Sequence, residues 1–202
     1  YKMAKYTVIA DTCRTVVEML KDNLVPEPMS KPESIGVCDP KDRGNFVLGI
    51  HPYNIAENKE LVTSRPVFLP DGYMQNPPAS YQIFCIMSVL SKAEIATRAF
   101  DEQRIIGRAL QLLKDNTVLP KKYMPESLKI SNETINLEIL PLELEEKVKI
   151  WSMFNEPYKL SIFFSLGPVL IESKQIKAPP ARVATIGIEG KIKEWGDIYE
   201  SS

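Results

Sequence analysis

The sequence predicts an α/β fold, of the α+β kind, in which a mixed, mainly antiparallel sheet is packed by two long helices and one short helix. Two observations support this. Residues 94–119 place apolar side chains at helical spacing over about six turns. Residues 81–90 form a nearly continuous apolar run, which is typical of a buried central strand. The 202 residues are 44% hydrophobic and 25% charged, so they can form a well-packed core.

The first predicted helix runs from Tyr6 to Leu24. Thr7 is expected to cap its N-terminus, and Pro26 and Pro28 are expected to end it. Its apolar residues share one face, namely Ile9, Cys13, Val16, Val17, Leu20 and Leu24.

A hairpin is predicted to follow this helix. Ser34–Cys38 and Phe46–Tyr53 both alternate apolar residues, and they flank the turn-rich segment Asp39–Asn45. Residues 54–79 are rich in proline and are predicted to form a surface excursion with one short strand at Val67–Leu69. Long loops inside a compact domain are often functional, so an interaction arm is the alternative.

The long helix carries a wide apolar stripe, which consists of Ala99, Ile105, Ile106, Ala109, Leu110, Leu112 and Leu113. Gly107 interrupts this helix, at a cost of about 1 kcal/mol relative to alanine. We therefore expect a neighbouring strand or subunit to approach closely at Gly107. Arg104 and Arg108 lie off the stripe and are candidate subunit contacts.

The second half of the chain alternates strand and helix patterns. Thr134–Leu140 predicts a half-buried strand, Leu142–Met153 a short amphipathic helix, and Tyr158–Ser165 a strand that continues through Val169–Glu172. A proline at position 168 predicts a bulge or an edge position. The buried side of the short helix is expected to hold Leu144, Val148 and Trp151.

A boundary is predicted at Pro179-Pro180, between a domain of residues 1–178 and a C-terminal extension or strand arm of residues 179–202. Residues 183–188 alternate like a strand, which either completes its own sheet or pairs with a neighbouring chain by edge addition. The candidate contact residues of this arm are Val183, Ile186 and Ile188.

Composition narrows the possible functions. The net charge of −1 argues against a general nucleic-acid binder, which usually has a basic surface. No apolar run reaches the roughly 18 residues of a membrane span. Asp11 and Arg14 interrupt the first apolar segment, which argues against a signal peptide. The three cysteines are far apart and without a CxxC motif, which predicts reduced, packed thiols.

Catalytic patterns are weak. His51 is the only histidine, and the sequence contains neither GxSxG nor HExxH. Asp101 and Glu102 point about 100° apart on a helix, so a solvated face is expected instead of a carboxylate pair. We therefore predict no enzymatic activity, no cofactor and no metal site. Phe68 and Tyr73 in the long loop are predicted to be surface aromatics that anchor a partner.

Four segments in this order resemble one family: YTVIADTCRTVVEMLKDNL, FVLGIHPYNIAENKEL, DEQRIIGRALQLLKDNTVLP and INLEILPLELEEKVKIWSMFNEPYKLSIFFSLGPVLIES. Together they are similar to the N-terminal domain of cap, or tail-terminator, proteins of contractile injection systems of the Photorhabdus virulence cassette and anti-feeding prophage kind. The resemblance covers roughly residues 4–173. The sequence departs from the family pattern at His51-Pro52 and at Gly167-Pro168.

This resemblance implies a fold like that of phage tail terminators and a structural function. Such proteins form a ring, a homohexamer by analogy with phage tails, on the baseplate-distal end of the tube. The ring ends polymerisation and secures the sheath, so the implied partners are other copies of the chain, the inner tube protein and the sheath protein. The implied location is the bacterial cytoplasm during assembly and then the apex of the particle, including particles that are released. The alternative is a monomeric α/β module that binds a ligand or peptide.

Overall fold

A computed structural model describes residues 6–58, 67–69, 72–129 and 134–178. The helices are α1 (Val8–Leu24), α2 (Ile95–Asp115), α3 (Glu126–Lys129) and α4 (Leu144–Met153), with short 3-10 turns at Pro32–Ser34 and Lys121–Tyr123. The strands are β1 (Ile35–Val37), β2 (Leu48–Glu57), β3 (Val67–Phe68), β4 (Met74–Gln75), β5 (Ala79–Val89), β6 (Asn136–Ile139), β7 (Ser161–Ile171) and β8 (Ile176–Lys177).

The main sheet has five strands in the order β1-β2-β5-β7-β6, and every pairing except β1 with β2 is antiparallel. The apolar run at 81–90 forms most of β5, the central strand, as predicted, and only Leu90 lies beyond its end. Its side chains alternate between two cores because successive residues of a strand face opposite sides. Cys85 faces the larger core with α1 and α2, whereas Ile86 packs with Trp151 of α4 on the other face.

The predicted hairpin at residues 34–53 is wrong, because β1 pairs with β2 in parallel. A hairpin needs a tight turn, but residues 38–47 form a long connection that returns the chain to the same end of the sheet. Phe46 belongs to that connection. Its ring packs over Gly36, where a Cβ would lie 2.3 Å from a ring carbon, so glycine is required for this packing.

Helix α1 packs in the larger core along the predicted face, from Val8 to Leu24. The expected capping bond from the Thr7 side chain is absent, although Thr7 occupies the N-cap position. Instead, the buried hydroxyls of Thr12 and Thr15 donate to backbone carbonyls one turn earlier, at 2.7 and 2.8 Å.

Helix α2 is buried only in its C-terminal half. Ile105, Ala109 and Leu113 lie in the core as predicted, but Ala99 is exposed and Leu110 is 42% exposed. The prediction is wrong at Ala99 because the first turns of α2 have no neighbouring element in the described chain to cover them, and at Leu110 because its side of the helix faces away from the core. Amphipathic spacing identifies a face but does not show how far along the helix a partner extends.

Helix α4 covers the second face of the sheet and begins with a capping box. The Glu143 carboxylate accepts from the backbone N–H of Glu146, and the Glu146 carboxylate accepts from the backbone N–H of Glu143. Trp151 is fully buried. The other two residues predicted on its buried side are not, since Leu144 is 62% exposed and Val148 42% exposed. Only the last turn of α4 therefore contacts the sheet closely.

Strand β7 runs without interruption from Ser161 to Ile171, past Pro168. Both alternatives predicted for this proline are present. Its neighbour β6 ends at the pair Asn136–Gly167, so residue 168 has a free edge on that side. On the other side, the register with β5 shifts between Tyr81 and Ile83.

A small second sheet has the order β3-β4-β8. The short strand at 67–68 agrees with the prediction, whereas β2 extends to Glu57, beyond the expected start of the excursion. The β4–β8 pairing continues the direction of the β5–β7 ladder, because Ala79 pairs with Ile171 and Met74 with Lys177. In the part of the chain that the structure describes, no helix has the length and hydrophobicity needed to cross a membrane.

Candidate assembly surface

The single histidine lies in a structural contact. The His51 ring meets the Phe154 ring edge-on, with centroids 5.2 Å apart. Within the described segments, no group of three or more histidine, cysteine or acidic residues is arranged to hold a metal ion. Cys13 and Cys85 are buried thiols, and the hydrogen bond with Cys13, together with burial, raises the pKa of Cys85 well above its ordinary value.

Asp101 and Glu102 do converge, contrary to the prediction of a solvated face. The backbone N–H of Ser91 donates to Glu102 Oε1 at 3.0 Å, and the Ser91 hydroxyl donates to Asp101. The pair lies on α2, so it secures the turn that joins β5 to this helix. Both carboxylates bond the same serine, so their role is to hold this connection.

Arg104 and Arg108 share a solvent-facing surface of α2 with Gly107. Arg104 Nη2 lies 2.8 Å from Glu27 Oε1, and Arg108 Nη1 donates to Gln111 Oε1 at 2.8 Å. Both partners of the ion pair are well exposed, so the pair contributes little to stability. Together with Pro28 and Gln103, these residues line a shallow concave surface.

Among the described residues, no strand makes the close approach expected at Gly107. A Cβ built at Gly107 has no heavy atom within 4 Å apart from its own helix and neighbours. The alternative, a neighbouring subunit, stays a prediction. The glycine thus lies at an open position in the middle of a helix, where it lowers helix stability without forming a compensating contact in the described chain.

Gly107→Ala is expected to raise the free energy of unfolding of the isolated chain by about 1 kcal/mol, because alanine is favoured over glycine inside helices. Urea unfolding measures this effect. Ala109→Gly, at a buried position of the same helix, is the matched reversal and is expected to destabilise the chain. A loss of stability in Gly107→Ala would contradict the open geometry of this position.

An apolar surface is formed by the uncovered N-terminal half of α2, where Ile95 is 86% exposed and Phe100 70% exposed. Sequence analysis did not predict this surface, because helical spacing does not distinguish the uncovered N-terminal turns of the helix from its buried C-terminal turns. The available signal was Phe100, a large aromatic residue that lies outside the predicted stripe.

Phe68 and Tyr73 lie near each other in the small sheet, at the end of the molecule where β5 begins. Phe68 pairs with Met74 and is 71% exposed, and Tyr73, which precedes Met74, is 43% exposed. Ile176 on β8 is 58% exposed. The prediction that the two aromatics are on the surface is confirmed, and Ile176 is a further exposed apolar residue of the small sheet.

Residues of α1 and β1 line a groove of about 640 Å³. Its lining is mainly apolar and includes Tyr6, Ile9, Val17, Ile35 and Val37, with Arg14 and Lys21 at the rim. Sequence analysis did not predict this groove, because it depends on the position of a three-residue strand. The predicted arm residues Val183, Ile186 and Ile188 lie outside the described residues, as does the boundary at Pro179.

Comparison with known proteins identifies related chains. A model of the Pvc16 N-terminal domain family matches residues 11–185. No curated protein matches the chain.

Two solved structures share the fold. One is the cryo-EM structure of the sheath/tube terminator of an extracellular contractile injection system, PVC, in its extended state. It has a TM-score of 0.63 and 15% identity, over 94% of this chain and 66% of that chain. The other is the cryo-EM structure of the anti-feeding prophage cap, a tube terminating cap, with a TM-score of 0.56 and 13% identity, over 94% of this chain and 63% of that chain. The chain therefore spans slightly less than two thirds of the length of each.

Proposed function

The chain belongs to the Pvc16 N-terminal domain family, and from this we propose that it is a structural cap of a contractile injection system. In this proposal the chain forms a ring on the baseplate-distal end of the tube, ends tube and sheath polymerisation, and secures the sheath. The family match across residues 11–185 is the observation that carries the proposal. The similarity of fold to the PVC terminator and the anti-feeding prophage cap agrees with it.

The surface supports an assembly role over a catalytic one. Large apolar side chains are exposed in three separate areas: the start of α2, the small sheet, and the groove beside α1. Exposed apolar patches mark contact sites for other proteins. A subunit of a layered ring needs several such sites, because it contacts its two neighbours and the structure on which the ring sits.

We assign the small sheet, with Phe68 and Tyr73, to the tube or sheath contact. The surface around Arg104 and Arg108 is assigned to the contact between subunits, since the open Gly107 would allow a neighbouring backbone to approach. A ring requires two different surfaces that bind each other head to tail and close. The arm residues Val183, Ile186 and Ile188 belong to the same interface in this proposal, and a homohexamer is the expected ring.

The proposed location follows from this role: the cytoplasm during assembly, then the apex of the particle. In the proposed division of the chain, residues 1–178 form the terminator-like domain and residues 179–202 the arm. A second candidate is a monomeric module that binds a ligand or peptide, and the groove between α1 and β1 favours it. A monomer that binds a peptide but not the tube would support this second function.

The proposal is tested by mixing the purified chain with the tube protein of its own system and measuring mass by light scattering. We expect a closed oligomer that binds the tube end and limits tube length in electron micrographs. A chain that neither oligomerises nor changes the tube length distribution would contradict the proposal.

Phe68→Ser is expected to weaken binding to the tube at least about tenfold, because removal of an aromatic anchor usually costs more than 1 kcal/mol of binding free energy. Its folding should be unaffected, since the side chain is 71% exposed. Met153→Ser is the matched control, because Met153 is 68% exposed but lies on α4, away from the assigned contact. Equal affinity of the two variants would reject the assignment of the small sheet.

A further inference from the structure

The two edges of the main sheet differ. The β6 edge is covered by residues 117–119, since Leu137 N–H donates to the Thr117 carbonyl at 2.8 Å and Leu119 N–H to the Ile135 carbonyl at 2.9 Å. On the opposite edge, β1 has no further strand beside it among the described residues. An unpaired edge is a template for an added strand, and proteins normally cover it.

The backbone of β1 presents hydrogen-bonding groups to that open side. In a parallel pair, alternate residues bond the partner strand. Cys38 N–H donates to the Ile50 carbonyl at 3.0 Å, so the polar groups of Val37 point away from β2. An added strand would find a donor and an acceptor at Val37.

The groove beside α1 lies along this same edge. Ile35 and Val37 point into it from β1, and Ile9, Cys13 and Val17 line it from α1. A strand added to β1 would therefore place every second side chain against an apolar floor. A sheet edge flanked by a helix is the arrangement by which strand addition selects an extended peptide, since the edge binds the backbone and the groove binds alternate side chains.

Residues 183–188 of the chain, VATIGI, have the matching pattern. Ala184, Ile186 and Ile188 would lie on one side of an extended segment, and Val183, Thr185 and Gly187 on the other. The first set is apolar and fits the groove. The segment contains no charged residue and no proline, so it can pair along its whole length with an edge strand.

The same chain cannot supply this segment to its own groove. Val37 lies level with Met87 on β5, and Ala79 at the other end of β5 pairs with Ile171. Along the strand direction, Met87 and Ala79 are about 26 Å apart, at about 3.3 Å per residue. Strand β8 continues away from β1, so Ala178 lies still farther. The chain from Ala178 to Ile186, the first residue proposed to enter the groove, spans at most about 27 Å, which is too short because it must also cross the width of the sheet from β7 to β1.

We propose that residues 183–188 of one copy add as a strand to β1 of the next copy, with Ile186 and Ile188 in the groove beside α1. This inference rests on the proposed ring function and specifies how neighbouring subunits join. Ala178, from which the arm continues, and the β1 edge that would accept the strand lie at opposite ends of the sheet, so the contact is head to tail. Such a contact closes into a ring when the rotation between copies is suitable.

The first test is Val37→Pro, measured by light scattering on the full chain, alone and with the tube protein. Proline removes the outward N–H and leaves the bonds between β1 and β2 intact, because edge strands tolerate proline when that N–H faces solvent. We expect a closed oligomer for the original chain and a monomer for Val37→Pro. Val37→Ala, which keeps the N–H, is the control and should still assemble.

The second test changes the segment that is proposed to add as a strand. Ile186→Asp together with Ile188→Asp is expected to give a monomer, whereas Thr185→Asp, on the side away from the groove, should assemble. Mixing Val37→Pro with the double aspartate variant should give a one-to-one dimer, because the first retains an intact arm and the second an intact groove. This complementation excludes misfolding as the cause of either monomer.

Several results would overturn the inference. Assembly of Val37→Pro into the original oligomer would show that subunits join elsewhere, and a mixture that stays monomeric would show that the arm and groove do not bind each other. Loss of tube binding by Val37→Pro without loss of self-association would assign the groove to another protein. An original chain that binds the tube yet never self-associates would also reject strand addition, while the proposed cap function would survive.

Discussion

Trp151→Ala is expected to lower the free energy of unfolding by about 3–5 kcal/mol, the usual range for removing a fully buried large aromatic side chain. Trp151 is 0% exposed, and it forms the centre of the second core with Ile86 and Phe163. Its indole N–H donates to Ser161 Oγ at 3.0 Å. The substitution would leave a cavity at the point where α4 contacts the sheet, and the Ser161 hydroxyl would keep only its bond to the Lys159 carbonyl.

Urea unfolding followed by circular dichroism measures this effect, since the substitution also removes a fluorescent probe. Met153→Ala is the control on the same helix, and it should change stability by less than about 0.5 kcal/mol because Met153 is exposed. Trp151→Phe should fall between the two. Similar losses for Trp151→Ala and Met153→Ala would contradict the placement of α4 on the sheet.

Arg43→Ala is expected to cost about 3 kcal/mol, because it removes charge-assisted bonds and leaves buried polar groups without partners. Arg43 is only 6% exposed. Its guanidinium donates to the Ser88 carbonyl at 3.1 Å and to the Ser88 hydroxyl, and its Nε donates to the Pro40 carbonyl at 3.2 Å. Burial lowers the pKa of Arg43, because removal of the guanidinium from water disfavours its charged form.

Two further substitutions separate charge from geometry. Arg43→Met keeps much of the side-chain volume without a charge, so we expect a smaller loss than for alanine. Arg43→Lys keeps the charge but lacks the planar set of donors that contacts Ser88 and Pro40, so we expect no rescue relative to Arg43→Met. Full rescue by lysine in urea unfolding would show that charge alone matters at this site.

The sequence was sufficient for the central parts of the fold. The apolar run around Cys85 predicted a central strand, and the spacing of Ile105, Ala109 and Leu113 predicted the buried half of α2. Both signals come from side chains that meet the core directly. The buried face of α1, from Val8 to Leu24, was predictable for the same reason.

The direction of strand pairing and the extent to which each helix is covered were harder to predict. Alternation in residues 34–53 indicates strands but does not distinguish a parallel pair from a hairpin. Leu144 and Leu110 have the spacing of buried residues, yet no element of the described chain covers them. Arg43 lies within a turn-rich sequence, DPKDRGN, where nothing local indicates that its side chain reaches a strand 45 residues later.

Some of the candidate surfaces could likewise be predicted from the sequence, and others could not. The exposure of Phe68 and Tyr73 was predictable from their place in a proline-rich segment. The groove beside α1 was not, since it is formed by elements that are separated in sequence and by a strand only three residues long. Family membership restricts the function, but the individual contacts depend on which edge of the sheet is left open.

The pairing of β5 with β7 has a consequence for folding during synthesis. Cys85 and Phe164, which are paired neighbours in these strands, are far apart in sequence. Contacts of such high sequence separation slow folding, because a long stretch of chain must be ordered before they form. A nascent chain that has not yet reached Ser161 has an apolar central strand with one uncovered edge, a hazard for aggregation. The subunit can therefore become competent for its partners only after β7 has left the ribosome.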